Sequence, residues 1–194
     1  LPISRFAGRT LTFGTSEGAT VRATDVQDLG LAGMRAHVTT PAGQVDVATP
    51  LLGRGNLANV LAATAVAVDF GVGLKEIAAA ASRLTPADRR GAVRRLRDGI
   101  TLIDDSYNSS PTALKRALEV LANETRASRK VAILGEMLEL GDHARELHQQ
   151  SGRAAASAGV DLLFAVGGEP ARALADAAVI AGMPQTARSE EHTS

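Results

Sequence analysis

The 194-residue chain has no cysteine, which excludes a disulfide framework and any thiolate metal site. That absence fits a reducing compartment. Aromatic residues make up 3% of the chain, so a core must be built from Ala, Val and Leu. Charge of one sign is not in excess: 21 Lys and Arg face 21 Asp and Glu. A basic footprint for nucleic acid or for an anionic membrane is therefore missing. No apolar run reaches the length that crosses a bilayer. Nothing matches the phosphate-cradling G-x-x-x-x-G-K-[ST], and neither G-x-S-x-G nor H-E-x-x-H occurs. The opening "LPISRFAGRT" has no Met and no signal-peptide pattern, so the expectation is a chain that starts inside a longer one.

What is present is enough for a core, since 45% of residues are hydrophobic. The first fifty residues read as β. "TLTFG", "ATVRATDV", "GMRAHVTT" and "GQVDVATP" are short, β-branched and partly alternating, and "PAG" at Pro41–Gly43 marks a hairpin turn. "NLANVLAATAVAVDFG" then reads as a helix with Asn56 as N-cap and Gly71 as stop, followed by a second helix in "LKEIAAAASRL". "AVRRL" and "GITLIDD" pair as strands around Asp98-Gly99. Beyond Pro111 helices and strands alternate, which predicts βαβ units and a parallel sheet. The change of pattern places a domain boundary near Asp105–Pro111. The last seven residues, "RSEEHTS", break with the Ala-rich run before them and match a translated sequencing-adapter sequence. The expectation is an artefactual tail over 188–194, unpacked against the fold.

Four stretches carry candidate chemistry. In "GRGNLANVLAA", Asn56 and Asn59 each offer a donor and an acceptor, which suits the edge of an adenine; an N-cap plus a polar surface residue is the competing reading. "PADRRGAVRRL" sets Arg89 and Arg90 in a loop before a strand, either as phosphate ligands or as a solvated basic loop. "LIDDSYNSSP" ends a strand on two adjacent carboxylates, whose like charges would resist joint burial. "LGEMLELGDHARELH" follows a strand of the parallel sheet, at the edge where open α/β sheets bind ligands. There Glu136, Glu139 and Asp142 are ligand contacts or surface caps, and His148 reads more readily as structural than as catalytic.

Taken in order, "GRGNLANVLAA", "RRG", "DDSYNSSP" and "GEMLELG" with His148 downstream resemble the Mur ligases, over nearly the whole chain from about Gly14 to Ala187. Two positions depart from the family pattern: Gly55 stands where His is frequent, and Ser109-Ser110 where Ala-Asn is frequent. The resemblance implies an α/β fold: the end of a P-loop-type central ATPase domain over 1–106, then a truncated Rossmann-like parallel-sheet domain over 107–187. It implies an ATP- and Mg²⁺-dependent amide ligase. This enzyme would join D-alanyl-D-alanine to UDP-N-acetylmuramoyl-tripeptide through an acyl phosphate, in the cytoplasm, as a monomer when full length.

Carried over residue by residue, the resemblance places Asp105, Tyr107 and Asn108 at the nucleotide, with Asp105 on the ribose. Asn56 and Asn59 come near the adenine, and Arg90 (or Arg89) near the phosphates in a catalytic role. Glu136, Met137 and Glu139 are implied in substrate binding. The phosphate-cradling loop and the Mg²⁺ ligands are expected upstream, so the isolated chain is expected to be inactive. The rival readings are another ligase of the Mur or folylpolyglutamate type and a non-catalytic nucleotide-binding module on the same fold.

Overall fold

Alternation of small apolar and polar side chains builds the first half of the protein. The computed structural model describes residues 7–184 and 188–191. In the first unit, Leu1–Thr85, the strands are β1 (Phe13–Gly14), β2 (Val21–Asp28), β3 (Met34–Thr40) and β4 (Gly43–Thr49), followed by α1 (Gly53–Asp69) and α2 (Leu74–Ser82). The strands lie in sequence order; β1 is parallel to β2 and the rest are antiparallel. Val21 and Ala23 of β2, Met34, Ala36 and Val38 of β3 and Val47 of β4 point to one face, as a period of two requires. Leu57, Val60, Leu61 and Ala65 of α1 share a core cluster with them. Fully burying a side chain such as Met34 or Leu61 contributes about 1.5–3 kcal/mol.

The hairpin of β3 and β4 and the stop at Gly71 (φ +78°) follow the sequence reading. The start of α1 does not. The helix begins at Gly53, so Asn56 is not an N-cap; it lies one turn inside, where its Nδ2 donates to the Leu52 carbonyl at 2.9 Å. Gly53 takes φ +75° and is buried, a start available to glycine and unmarked by any Ser, Thr, Asp or Asn.

The second unit, Pro86–Ser194, opens with a hairpin, β5 (Ala92–Arg95) and β6 (Thr101–Asp104), then runs α3 (Pro111–Asn123), β7 (Val131–Gly135), α4 (Ala144–Ser157), β8 (Leu162–Val166), α5 (Glu169–Ile180) and β9 (Arg188–Glu191). The hairpin turns at Asp98 (φ 59°) and Gly99 (φ +74°), the paired positive angles of a type I′ turn. Ser110 caps α3 by accepting from the Ala113 N–H, with Pro111 at the first helical position. Strands β7, β8 and β9 form a parallel sheet in that order. Its helices α3, α4 and α5 bury Leu114, Leu118, Ala155, Leu174 and Ala178 against Ala132, Leu163 and Ala165 of the strands.

The two compact units part between Thr85 and Pro86, and β5 and β6 make a two-stranded sheet of their own. One expectation is corrected. Residues 188–191 are not excluded from the fold: they pair with β8, Leu163 with Arg188 through Val166 with Glu191. Strand pairing uses backbone groups, so a polar composition does not forbid it. The remaining tail residues 192–194 lie outside the described residues.

Helices α4 and α5 approach closely at Gly152, where a Cβ would lie 2.0 Å from the Leu174 carbonyl oxygen. Gly152→Ala should therefore destabilise the chain by about 1–3 kcal/mol in urea denaturation, as overpacking does. In an open helix the same change would gain about 1 kcal/mol, so a stabilised variant would show that the helices are not in contact there.

In the first unit, His37 Nδ1 lies 2.8 Å from Asp46 Oδ1 across β3 and β4. The hydrogen bond to Asp46 raises the His37 pKa above 6.5. A raised histidine favours folding below its unfolded pKa, and that contribution is lost as pH rises through the folded one. An NMR titration should place His37 above 6.5, and Asp46→Asn should lower it; no change would remove the pair from the account.

Candidate functional site

Asp104 ends β6 and Asp105 follows it, and the two acids have separate surroundings. Asp104 accepts from the Ser106 hydroxyl at 2.7 Å and from its N–H at 3.3 Å, and lies 3.5 Å from Arg94 Nη2. Arg94 also pairs with Asp88 at 3.2 Å. The Ser106 hydroxyl, then its N–H and Arg94, hold the Asp104 carboxyl below the usual carboxylate range against a partial loss of water.

Asp105 goes the other way. The residue is exposed, yet desolvation of its carboxyl raises the pKa. A hydrogen bond from the Gly91 N–H and the nearby Arg90 charge pull it back, and Asp104 adds like-charge repulsion. The loop facing it is held open by Arg89 (φ 55°) and Gly91 (φ +72°), with the Tyr107 N–H donating to the Arg89 carbonyl at 3.1 Å. Arg90 lies over the Tyr107 ring, its guanidinium carbon 4.2 Å from the centroid. Such an exposed cation–π contact contributes about 0.5–1 kcal/mol and fixes the plane of the guanidinium. Asn108 is exposed and accepts from the Ser109 N–H at 2.9 Å.

One end of the hairpin thus gathers Arg90, Asp105 and Tyr107, with Asn108 following. A carboxylate that accepts, a guanidinium that neutralises and an aromatic face suit a nucleotide. Asn56 and Asn59 belong to the first unit. Asn59 is exposed on α1, whereas Asn56 is partly buried and already uses its amide on Leu52.

A second group forms at the carboxyl ends of β7 and β8. Glu136 donates its N–H to the Val166 carbonyl at 3.0 Å, and its Oε2 accepts from the Gly168 N–H, at the start of α5, at 2.8 Å. Gly167 (φ +138°) has no room for a Cβ, which would fall 2.8 Å from the Glu136 side chain. Met137 is 2% exposed and belongs to the core. Leu138, at 73%, and Glu139 (φ 61°) are the exposed residues of the loop. Arg145 at the start of α4 pairs with Glu169 at the start of α5.

His148 is fully buried. Its Nε2 accepts from the Met137 N–H at 2.9 Å, and its Nδ1–H donates to the Ala144 carbonyl at 2.7 Å. It is structural, as its place in a helix suggested. The parts played by Ser106, Gly168, Arg145 and Glu169 were missed; the glycine pair before "EPAR" was the one available signal. Among the described residues no group of three or more His, Asp or Glu could hold a metal ion. Nor is any helix among them long and apolar enough to cross a membrane.

Residues 89–193 match the family described as "Mur ligase, glutamate ligase domain", and residues 3–67 match "Mur ligase middle domain". The chain belongs to the Mur ligase family. It is 38% identical over 135 residues to UDP-N-acetylmuramoyl-tripeptide–D-alanyl-D-alanine ligase of Escherichia coli K12, covering 70% of this chain and 29% of that protein. With the Bacillus subtilis ligase of the same name the identity is 29% over 162 residues, covering 84% and 35%. A crystal structure of MurF from Acinetobacter baumannii superposes with a TM-score of 0.78 at 30% identity, covering 93% of this chain and 37% of that one. MurF of Thermotoga maritima in complex with ADP gives 0.71 at 25%, covering 86% and 37%. This Mur ligase chain therefore spans about a third of the length of these relatives.

The electrostatics of the hairpin can be tested without a ligand. Asp105 should titrate above the usual carboxylate range, Arg90→Ala should raise it further and Asp104→Asn should lower it, all read by carbon-detected NMR. A raised carboxyl favours folding in acid, and that contribution is lost as pH rises through the folded pKa. Asp105→Asn should therefore leave neutral-pH stability unchanged or improved. A marked loss would mean that Asp105 is a structural ion.

Proposed function

We propose that this chain is part of an ATP-dependent ligase that adds D-alanyl-D-alanine to UDP-N-acetylmuramoyl-tripeptide, in the making of peptidoglycan precursors. Family membership and the named relatives support the reaction class. The observation that carries the chain's own part is the hairpin end, where Asp105 is desolvated beside a planar Arg90. A relative solved with ADP supports a nucleotide as the ligand. The expected setting is the cytoplasm, with the full-length enzyme a monomer.

ATP supplies the phosphoryl group that activates the terminal carboxylate of the tripeptide. Asp105 accepts the ribose hydroxyls, and its incomplete solvation makes those hydrogen bonds worth more than bonds to water. Arg90 neutralises phosphate charge from a position set by the Tyr107 ring, which lowers the cost of ordering it. Asn59 has its carboxamide exposed for an adenine edge, while Asn56 is tied to Leu52 and is the weaker of the two candidates. Glu136 is engaged by Gly168, so Leu138 and Glu139 are the residues that the second group presents to the amine substrate.

Steady-state kinetics on the full-length enzyme separate these roles. Asp105→Ala should raise the KM for ATP roughly tenfold to a hundredfold, the loss of one charge-assisted hydrogen bond, with the KM for D-alanyl-D-alanine little changed. Arg90→Ala should lower kcat, because phosphate charge shifts during the reaction while the ribose does not change. Asn59→Ala should raise the KM for ATP and relax discrimination against GTP. An unchanged ATP KM in folded Asp105→Ala would remove the hairpin from the nucleotide site.

A further inference from the structure

We infer that His148 is a positioning residue for the amine-substrate loop: its Nε2 holds the Met137 N–H and thereby fixes how Leu138 and Glu139 are presented. The inference rests on the ligase reading above. Its basis is geometric. His148 is 0% exposed, yet neither of its ring nitrogens bonds another side chain. Nδ1 is bound to the Ala144 carbonyl of its own helix, which sets the tautomer and leaves Nε2 as an acceptor. That acceptor is used on a loop amide eleven residues earlier.

The loop has few other anchors. It leaves β7 at Gly135 and is tied at Glu136 to Val166 and Gly168; Met137 then places its side chain and N–H in the interior, and Leu140 packs against the core. Past Met137 the chain turns outward through Leu138 and through Glu139 at φ 61°. A non-glycine residue in the left-handed region costs free energy and persists where neighbours over-determine it. Here His148 holds the residue two before it. Without its acceptor the Met137 N–H is buried with no partner, and the cheapest response is for the loop to open to water. The core below would survive, since Met137 and Leu174 still pack.

The test uses two pairs of readouts. Hydrogen exchange on the chain itself reads the loop without any ligand, and kinetics on the full-length enzyme read the substrate. His148→Phe keeps the packing and removes the acceptor. It should speed amide exchange at Met137–Leu140 at least tenfold, with Ala171–Ala178 of α5 unchanged. In the enzyme it should raise the KM for D-alanyl-D-alanine about tenfold, the size of one lost hydrogen bond, and leave the KM for ATP within about twofold. His148→Gln places a carboxamide where Nε2 was and should restore both. If the phenylalanine variant does not fold, His148→Asn replaces it, because its short amide still reaches Ala144 but not Met137.

Unchanged loop exchange in either disruptive variant overturns the inference. So does a parallel rise in both KM values, or a loss of stability with the dipeptide KM intact. If the wild-type enzyme does not ligate at all, the ligase reading fails, and faster loop exchange still establishes that His148 positions this loop.

Discussion

Helix α4 sits on α5 only because Gly152 has no side chain, and the carboxyl edge of the parallel sheet depends on that contact. His148 is one turn before Gly152, so the same seating that brings the backbone against Leu174 turns the imidazole inward. From there a closed circuit can be traced. His148 holds the Met137 N–H, the neighbouring Glu136 holds the Gly168 N–H, and Gly168 is the N-cap of α5, the helix on which α4 rests. Each link is a backbone amide held by a side chain on another element, so loop and helices are fixed as one piece. Arg145 and Glu169 join the starts of the same two helices from the solvent side, where screening leaves an ion pair about 0–1 kcal/mol.

The β5–β6 hairpin works on another principle. Two strands alone bury little, and such a hairpin is marginal in water. Turn chemistry and charge supply what a core cannot. Asp98-Gly99 sets the register, and Arg94 spans Asp88 and Asp104. The two carboxylates differ in their surroundings: Ser106 and Arg94 favour the charged form of Asp104, whereas partial desolvation disfavours that of Asp105. Asp104 is the last residue of β6 and Asp105 the first beyond it, where the loop and not the ladder sets its neighbours.

The sequence disclosed the elements better than their junctions. The helices and strands between Pro111 and Ile180 were legible, because "PTALKRAL" and "DLLFAV" carry unambiguous periods and Gly159 marks a stop. The start of α1 was not, since its first residue is a buried glycine and the only cap-forming side chain nearby, Asn56, points back along the helix. "AVRRL" and "ITLID" announce a hairpin and no more. Whether a hairpin joins an existing sheet is decided by pairing partners far along the chain, and local pattern does not report that. The strand at 188–191 was missed for a related reason: composition describes side chains, and a parallel pairing is made by the backbone.

The motif "GEMLELG" shows how a recognisable string can be mostly scaffold. Glu136 ties two strands and a helix start, Met137 fills the core, and Gly141 takes φ +54° to enter the next turn. Of the motif's side chains, those of Leu138 and Glu139 are the exposed ones. A specific pattern of residues is therefore compatible with a small chemical surface, because most of its letters serve to build the loop. Assigning a ligand contact to every residue of such a motif overstates the site. In this chain the residues free to meet a substrate are those that packing and hydrogen bonding have not already claimed.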